Sequence, residues 1–251
     1  MTGEPFQLDG DDRGILLLHG FAGSPFAVRY LGDKLHARGF TVAAPLLPGH
    51  GATAAALDAT AWRDWLAAAE GALRAVRERC RAVAVAGLSM GGLLTLRLAQ
   101  VHADLRAICV MAAPLWLPFH IRTTVRALSA LGRAAGRYPI IPTIGGSDIR
   151  DPEMKRIYPS PAGFPLHALA SMLELMGDVR RDLARVRAPT LVIHGDHDHT
   201  APPPSAREIV GRISSPDKRL VRLDRSFHIV TLDVERDRVA AAVGDFFEER
   251  M

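Results

Sequence analysis

Residues 87–91 read Gly-Leu-Ser-Met-Gly, a serine held between glycines at the spacing Gly-x-Ser-x-Gly. Ahead of it stands a strand-type apolar run, Arg81-Ala82-Val83-Ala84-Val85-Ala86. Behind it comes a helical run, Leu93-Leu94-Thr95-Leu96-Arg97-Leu98-Ala99. The flanks carry the meaning, because five loosely specified residues recur by chance in chains rich in Ala and Gly. A serine at the tip of a tight strand-to-helix turn is exposed for attack on a carbonyl carbon, and a side chain at either glycine would collide with the neighbouring strand or helix.

A serine hydroxyl attacks only when a base takes its proton, and the base needs an acid to hold its tautomer. On this kind of scaffold the expected chain order is serine, acid, histidine. Downstream, Pro189-Thr190-Leu191-Val192-Ile193-His194-Gly195 is a short buried-strand pattern that runs into Asp196-His197-Asp198-His199-Thr200-Ala201-Pro202. Two aspartates compete. A strand followed by Gly-x-x-Asp-x-x-Val-Pro fits Gly195, Asp198 and Ala201-Pro202, with Ala in place of Val, so Asp198 is chosen over Asp196. The last strand pattern, Lys218-Arg219-Leu220-Val221-Arg222-Leu223, ends in Asp224-Arg225-Ser226-Phe227-His228. Among 10 histidines, His228 is the expected base because it lies just past that strand. The ordinary reading of any single histidine is a surface or structural one.

The oxyanion formed on attack needs backbone N–H donors. Gly14-Ile15-Leu16-Leu17-Leu18 is a buried-strand pattern ending in the turn His19-Gly20-Phe21-Ala22-Gly23-Ser24-Pro25. The expected donors are the main-chain N–H groups of Phe21 and of Met90, the residue after the nucleophile. His19 is read as tying the loop to neighbouring backbone, without proton transfer. The cluster His194, Asp196, His197, Asp198 and His199 invites a metal reading, but alternate residues of an extended segment face opposite ways and do not converge on one ion.

The elements that must position these groups alternate along the chain: strand 14–19, helix 25–37, strand 39–44, helix 60–78, strand 81–86, helix 89–101 and strand 105–111, then strand 189–195, helix 204–213, strand 218–223 and helix 233–249. Such alternation predicts a mostly parallel sheet covered on both faces. Ligands bind where loops leave the carboxyl ends of such strands, and Phe21, Ser89, Asp198 and His228 all fall there. The break between the two runs has a helical pattern from Ile121 to Leu131. An irregular stretch follows, with Tyr138-Pro139, Ile141-Pro142 and Gly145-Gly146, and then a second helical pattern from Leu166 to Met176. The expected organisation is a core of residues 1–113 and 186–251 with an insertion, 114–185, over the site.

The chain has 251 residues, 48% hydrophobic and 23% charged, the profile of a globular domain. Its net charge of +4 raises the question of nucleic acid. The arginines, however, sit beside acids, as in Arg77-Glu78-Arg79 and Glu235-Arg236-Asp237-Arg238, so a solvated surface is the expectation and no nucleic-acid partner is. Residues 1–14 lack the apolar stretch of a secretory signal, and no segment reaches the roughly 18 apolar residues of a membrane span. A cytoplasmic location without stable membrane insertion is therefore expected, with Cys80 and Cys109 as buried thiols.

Taken together, His19-Gly20-Phe21, Pro48-Gly49-His50-Gly51, Gly87 to Gly92, Asp196 to His199 with Pro202-Pro203, and Phe227 to Asp233 resemble the bacterial monoacylglycerol lipase and small carboxylesterase group of the α/β-hydrolases. The resemblance runs from about Gly14 to the C-terminus. It implies an α/β-hydrolase fold with a cap inserted after strand six, a triad of Ser89, Asp198 and His228, and oxyanion donors Phe21 and Met90. It also implies an ester substrate, either a simple short- to medium-chain ester or a monoacylglycerol, and no organic cofactor or metal. In the monoacylglycerol lipases, the cap position similar to Arg156 carries an acid that helps bind glycerol. The reversed charge favours the simple-ester reading, unless Glu153 takes the role. Thioesterase or amidase chemistry on the same triad is the rival within enzymes, and a non-catalytic binding protein is the rival outside them. The presence of all three triad residue types speaks against the latter, and a serine in place of aspartate at the elbow speaks against a dehalogenase.

Overall fold

The computed structural model describes residues 3–134, 140–142 and 146–251; Tyr138-Pro139 and Gly145 of the irregular stretch lie outside them. In chain order the strands are β1 (Phe6–Leu8), β2 (Arg13–Leu18), β3 (Thr41–Ala44), β4 (Ala82–Leu88), β5 (Ala107–Met111), β6 (Ile140–Pro142), β7 (Gly163–Pro165), β8 (Thr190–Gly195) and β9 (Lys218–Leu223). The helices are α1 (Phe26–His36), α2 (Ala54–Asp58), α3 (Trp62–Arg77), α4 (Met90–Val101), α5 (Phe119–Ala134), α6 (Pro152–Ile157), α7 (Leu166–Arg181), α8 (Pro204–Arg212) and α9 (Arg236–Glu248).

Ile15, Leu16, Leu17 and Leu18 are all fully buried, and a strand apolar at every position must be covered on both faces. It is. Leu16 and Leu18 join Val83 and Val85 beneath α3, α4 and α7, whereas Ile15 and Leu17 join Ala84 and Ala86 beneath α1 and α9. The sheet has the order β1-β3-β2-β4-β5-β8-β9, parallel except for β1 against β3. The chain steps outward from β2 to β3 and then crosses back to β4, so strand order reverses between β2 and β4. That reversal opens a crevice at the strands' carboxyl ends. Register Leu18↔Gly87 sends the 19–25 turn and the Ser89 turn out of the sheet side by side.

The insertion leaves the sheet after β5, the fifth strand in this chain's own order, and contains α5, the antiparallel pair β6 and β7, α6 and α7. Its second half does not form a core of its own. Leu173, Leu175, Met176 and Val179 of α7 share one buried cluster with Leu93, Leu94 and Leu98 of α4. Asp58 Oδ1 accepts the N–H groups of His167 and Ala168 at the start of α7, and Ser171 Oγ accepts that of Trp62. The short elements β1, α2, α6, β6 and β7 were not expected, because three to six residues cannot display a period that separates them from loop. Helix α6 is set up locally instead: Asp151 accepts the N–H groups of Glu153 and Met154, with Pro152 at the first helical position. Helix α9 starts at Arg236 rather than 233 because Asp233 and Glu235 spend their carboxylates on other segments, described below.

Among the described residues no helix is long and apolar enough to cross a membrane. Cys80 and Cys109 are free and buried.

Candidate active site

Ser89 sits between β4 and α4 with φ 56° and ψ −116°. A non-glycine residue in the left-handed region is strained, and among the described residues only Ala22, Ser89 and Ala112 adopt it. All three lie at the carboxyl edge of the sheet, in the loop after β2, at the elbow and at the end of β5. The Ser89 N–H donates to the Met111 carbonyl at 2.8 Å, which anchors the turn to the neighbouring strand. A Cβ on Gly91 would stand 2.1 Å from the Leu18 carbonyl oxygen, so the first turn of α4 can close onto β2 only with glycine there.

Three residues distant in sequence meet in a line. His228 Nε2 is 3.0 Å from Ser89 Oγ, and His228 Nδ1 is 2.8 Å from Asp198 Oδ2. A carboxylate only accepts, so Nδ1 carries the hydrogen and Nε2 is free to accept the serine proton. Burial opposes charge on His228, but the charge and hydrogen bond of Asp198, with the charge of Asp148, outweigh it and hold the imidazole above its ordinary value. Asp198 is 8% exposed. Burial would raise its carboxyl, yet His228 and His194 together drive it far below the usual carboxylate range. Its other oxygen, Oδ1, accepts the N–H groups of Thr200 at 2.8 Å and Ala201 at 2.7 Å.

Asp196 is elsewhere. It pairs with Arg222 of β9 at 2.8 Å and hydrogen-bonds neither Ser89 nor His228. The N–H groups of Phe21 and Met90 flank the elbow, and among the described residues neither has a loop or cap carbonyl as partner. Met90 also opens α4, where the helix dipole adds to the pull on negative charge. The His19 ring is a tie, as expected: Nδ1–H donates to the Gly20 carbonyl at 2.9 Å and Nε2 accepts the Leu47 N–H at 3.1 Å. Burial and the neighbouring His50 push it down to about 3, so it stays neutral.

Ser89 and His228 open into a cavity of about 350 Å³. One wall is apolar, with Leu117, Phe164, Leu169, Met172 and Met176 contributing. Neither Arg156 nor Glu153 borders it. Both are exposed on α6, so the structure does not place these two sequence-selected residues on the lining of this cavity. The acid that does border the cavity is Asp148. Its carboxylate accepts from His199 N–H and Nδ1, both at 2.9 Å, and from the Thr200 hydroxyl at 3.1 Å. Its carbonyl accepts the N–H groups of His228 and Ile229. Asp148 thus clasps the insertion to the loops carrying both acid and base.

Sequence reasoning also passed over Asp233, fully buried, whose Oδ1 accepts the N–H groups of Arg150 and Asp151 and whose Oδ2 accepts that of Phe227. Glu235 holds Arg225 N–H and Ser226 Oγ in the same loop. A carboxylate a few residues after a histidine has no periodic signal; only its closeness to the base hints at the role. Of the remaining histidines in the cluster, His197 and His199 are exposed and His194 is buried against Asp198.

A family profile described as serine aminopeptidase, S33 (Hydrolase_4) matches residues 11–235. The chain belongs to this hydrolase family. It is 34% identical over 244 residues to a thermostable monoacylglycerol lipase of Bacillus sp. (strain H-257), covering 97% of this chain and 94% of that one. Identity to a carboxylesterase of Bacillus subtilis (strain 168) is 32% over 250 residues, with 99% and 98% covered. Among solved structures, one from work on the metagenome-derived lipolytic enzymes LipS and LipT superposes with a TM-score of 0.90 at 31% identity, covering 98% of both chains. The fold is that of the α/β-hydrolases, as the resemblance implied.

Proposed function

We propose that this member of the Hydrolase_4 family is a serine carboxylic-ester hydrolase acting on short- to medium-chain esters. The observation that carries the reading is the unbroken hydrogen-bond line from Ser89 through His228 to Asp198 at the mouth of an apolar cavity. Ser89 Oγ attacks the ester carbonyl as its proton passes to His228 Nε2. The N–H groups of Phe21 and Met90 take the oxyanion, an interaction worth about 3 kcal/mol per donor. His228 returns the proton to the leaving alcohol, then activates water that releases the acid from the acyl-enzyme. Asp198 holds the imidazole tautomer and balances the imidazolium, and the acyl chain lies along Leu169, Met172 and Met176. No metal or organic cofactor enters these steps.

The test is a serine-directed fluorophosphonate with a panel of p-nitrophenyl esters from two to sixteen carbons. One adduct per chain on Ser89, and turnover that falls by several powers of ten in Ser89→Ala, are expected. An adduct elsewhere, or activity retained in Ser89→Ala, overturns the reading.

A second reading, monoacylglycerol hydrolysis, is favoured by the relative from Bacillus sp. and by a carboxylate, Asp148, among the described residues that line the cavity. A carboxylate can accept hydrogen bonds from glycerol hydroxyls. Rates on 1- and 2-monoacylglycerols against a simple ester of equal acyl length separate the two. A cytoplasmic site is part of the proposal and is tested by cell fractionation.

A further inference from the structure

The acid of the triad has a second imidazole. His194, near the end of β8 and only 2% exposed, places Nε2 3.0 Å from Asp198 Oδ2, the oxygen that also receives His228 Nδ1–H. The same Nε2 lies 3.2 Å from the Ala201 carbonyl. Both neighbours are acceptors, so Nε2 carries a hydrogen; it hydrogen-bonds the Ala201 carbonyl and holds the positive end of the N–H against Asp198 Oδ2. Among the described residues Nδ1 of the ring is buried without a partner, which suits the bare nitrogen of a neutral Nε2–H tautomer. Asp198 then accepts two main-chain N–H groups on Oδ1 and His228 Nδ1–H on Oδ2, with His194 Nε2 in close polar contact with Oδ2 as well.

We propose that His194 is a positioning residue of the triad: by holding the Nε2–H it donates to the Ala201 carbonyl within 3.0 Å of Asp198 Oδ2, it fixes the carboxylate against His228 and shares the charge that His228 feels. The inference rests on the serine-hydrolase reading above. An oxygen that already accepts one charge-assisted hydrogen bond attracts a second donor less strongly, so His194 moderates the pull of Asp198 on His228. Besides the two main-chain donors on Oδ1 and His228 on Oδ2, His194 sets a further polar hydrogen against the carboxylate, and it comes from a strand.

The other charged and titratable groups around this assembly are few. His228 faces Asp148 from the insertion, itself bonded to exposed His199. On the far side, Asp196, Arg207 and Arg222 from the end of β8, α8 and β9 border a small cavity together with His194. Of these, Asp196 and Arg222 pair with each other.

The test compares His194→Phe, which keeps a planar ring and removes the donor, with His194→Gln, whose side-chain amide can restore it. In His194→Phe, kcat should fall about three- to tenfold, the scale of losing one modest hydrogen bond, with KM changed less than about twofold. The acid limb of kcat/KM should move to higher pH, because an unshared carboxylate raises the basicity of His228. His194→Gln should return both readouts most of the way to wild type. A His194→Phe profile that overlays wild type, or a Gln variant as impaired as Phe, overturns the proposal.

A measurement on the unmutated chain covers the case in which the Phe variant does not fold. ¹⁵N spectra of histidine-labelled protein should show His194 neutral with the hydrogen on Nε2, and a hydrogen on Nδ1 instead rules the inference out. Wild-type protein that lacks ester turnover and phosphonate labelling defeats the functional reading. Active wild type with indifferent His194 variants defeats only this one.

Discussion

Replacing Asp198 by asparagine keeps the shape of the side chain and changes only what it can accept. Asp198 accepts three hydrogen bonds, Thr200 and Ala201 N–H on one oxygen and His228 Nδ1–H on the other, where His194 Nε2–H also stands 3.0 Å away. An asparagine can keep its oxygen on the two main-chain groups, but its NH₂ then meets two imidazole N–H groups. His228 can relieve that clash by moving its hydrogen to Nε2, and this leaves an N–H facing Ser89 Oγ, 3.0 Å away, with no lone pair to take the serine proton. A triad with the wrong tautomer loses about 10⁴ in kcat, or about 5.4 kcal/mol at 1.36 kcal/mol per tenfold. The buried mismatch should cost roughly 1–3 kcal/mol of stability as well. Asp196→Asn removes only a partly exposed pair with Arg222, worth at most about 1 kcal/mol, and should leave kcat within about twofold. The assay is steady-state hydrolysis of a p-nitrophenyl ester, with urea denaturation of each variant. An Asp198→Asn enzyme within tenfold of wild type, or an Asp196→Asn enzyme that loses a thousandfold, refutes the reasoning.

The charge on Asp148 helps hold His228 above its ordinary value, and neutral His228 is the active base, so activity fails on the acid side as pH drops through that raised value. Asp148→Asn should therefore move the acid limb of kcat/KM to lower pH, and an unmoved limb speaks against the coupling. Gly91→Ala puts a methyl 2.1 Å from the Leu18 carbonyl oxygen, with no flexible side chain to yield. It should cost about 3 kcal/mol or more by denaturant titration, at the upper end for overpacking, and a loss under about 1 kcal/mol contradicts the elbow geometry. Because Arg156 is exposed on α6 and borders no part of the cavity at Ser89, Arg156→Glu should leave the ratio of monoacylglycerol to simple-ester turnover within about twofold. A tenfold gain for monoacylglycerol would show that α6 reaches the bound alcohol.

Wherever chemistry is written into a short run of residues, the sequence determined the outcome. Gly87 to Gly91, between a strand-type and a helical run, marks a tight strand-to-helix turn, and the all-apolar pattern of Ile15 to Leu18 and Val83 to Ala86 requires cover on both faces. Alternating elements then fix a parallel sheet and the edge at which Ser89, Asp198 and His228 emerge. The choice of Asp198 over Asp196 came from loop spacing, and the loop's own N–H groups, which close on Oδ1, are the physical reason that spacing matters. What only the tertiary structure decided are contacts between segments with no shared period. Whether an acid near residue 150 faces the substrate depends on how an irregular insertion folds back, and the chain lines the cavity with Asp148 and leaves Glu153 and Arg156 exposed on α6. The buried clamp of Asp233 arises likewise where the loop carrying His228 and the insertion meet, whereas the contact of His194 with Asp198, four residues on, depends on how the loop after β8 turns back. A hydrogen bond between residues 80 apart depends on the packing of everything between them, and local sequence carries no record of that packing.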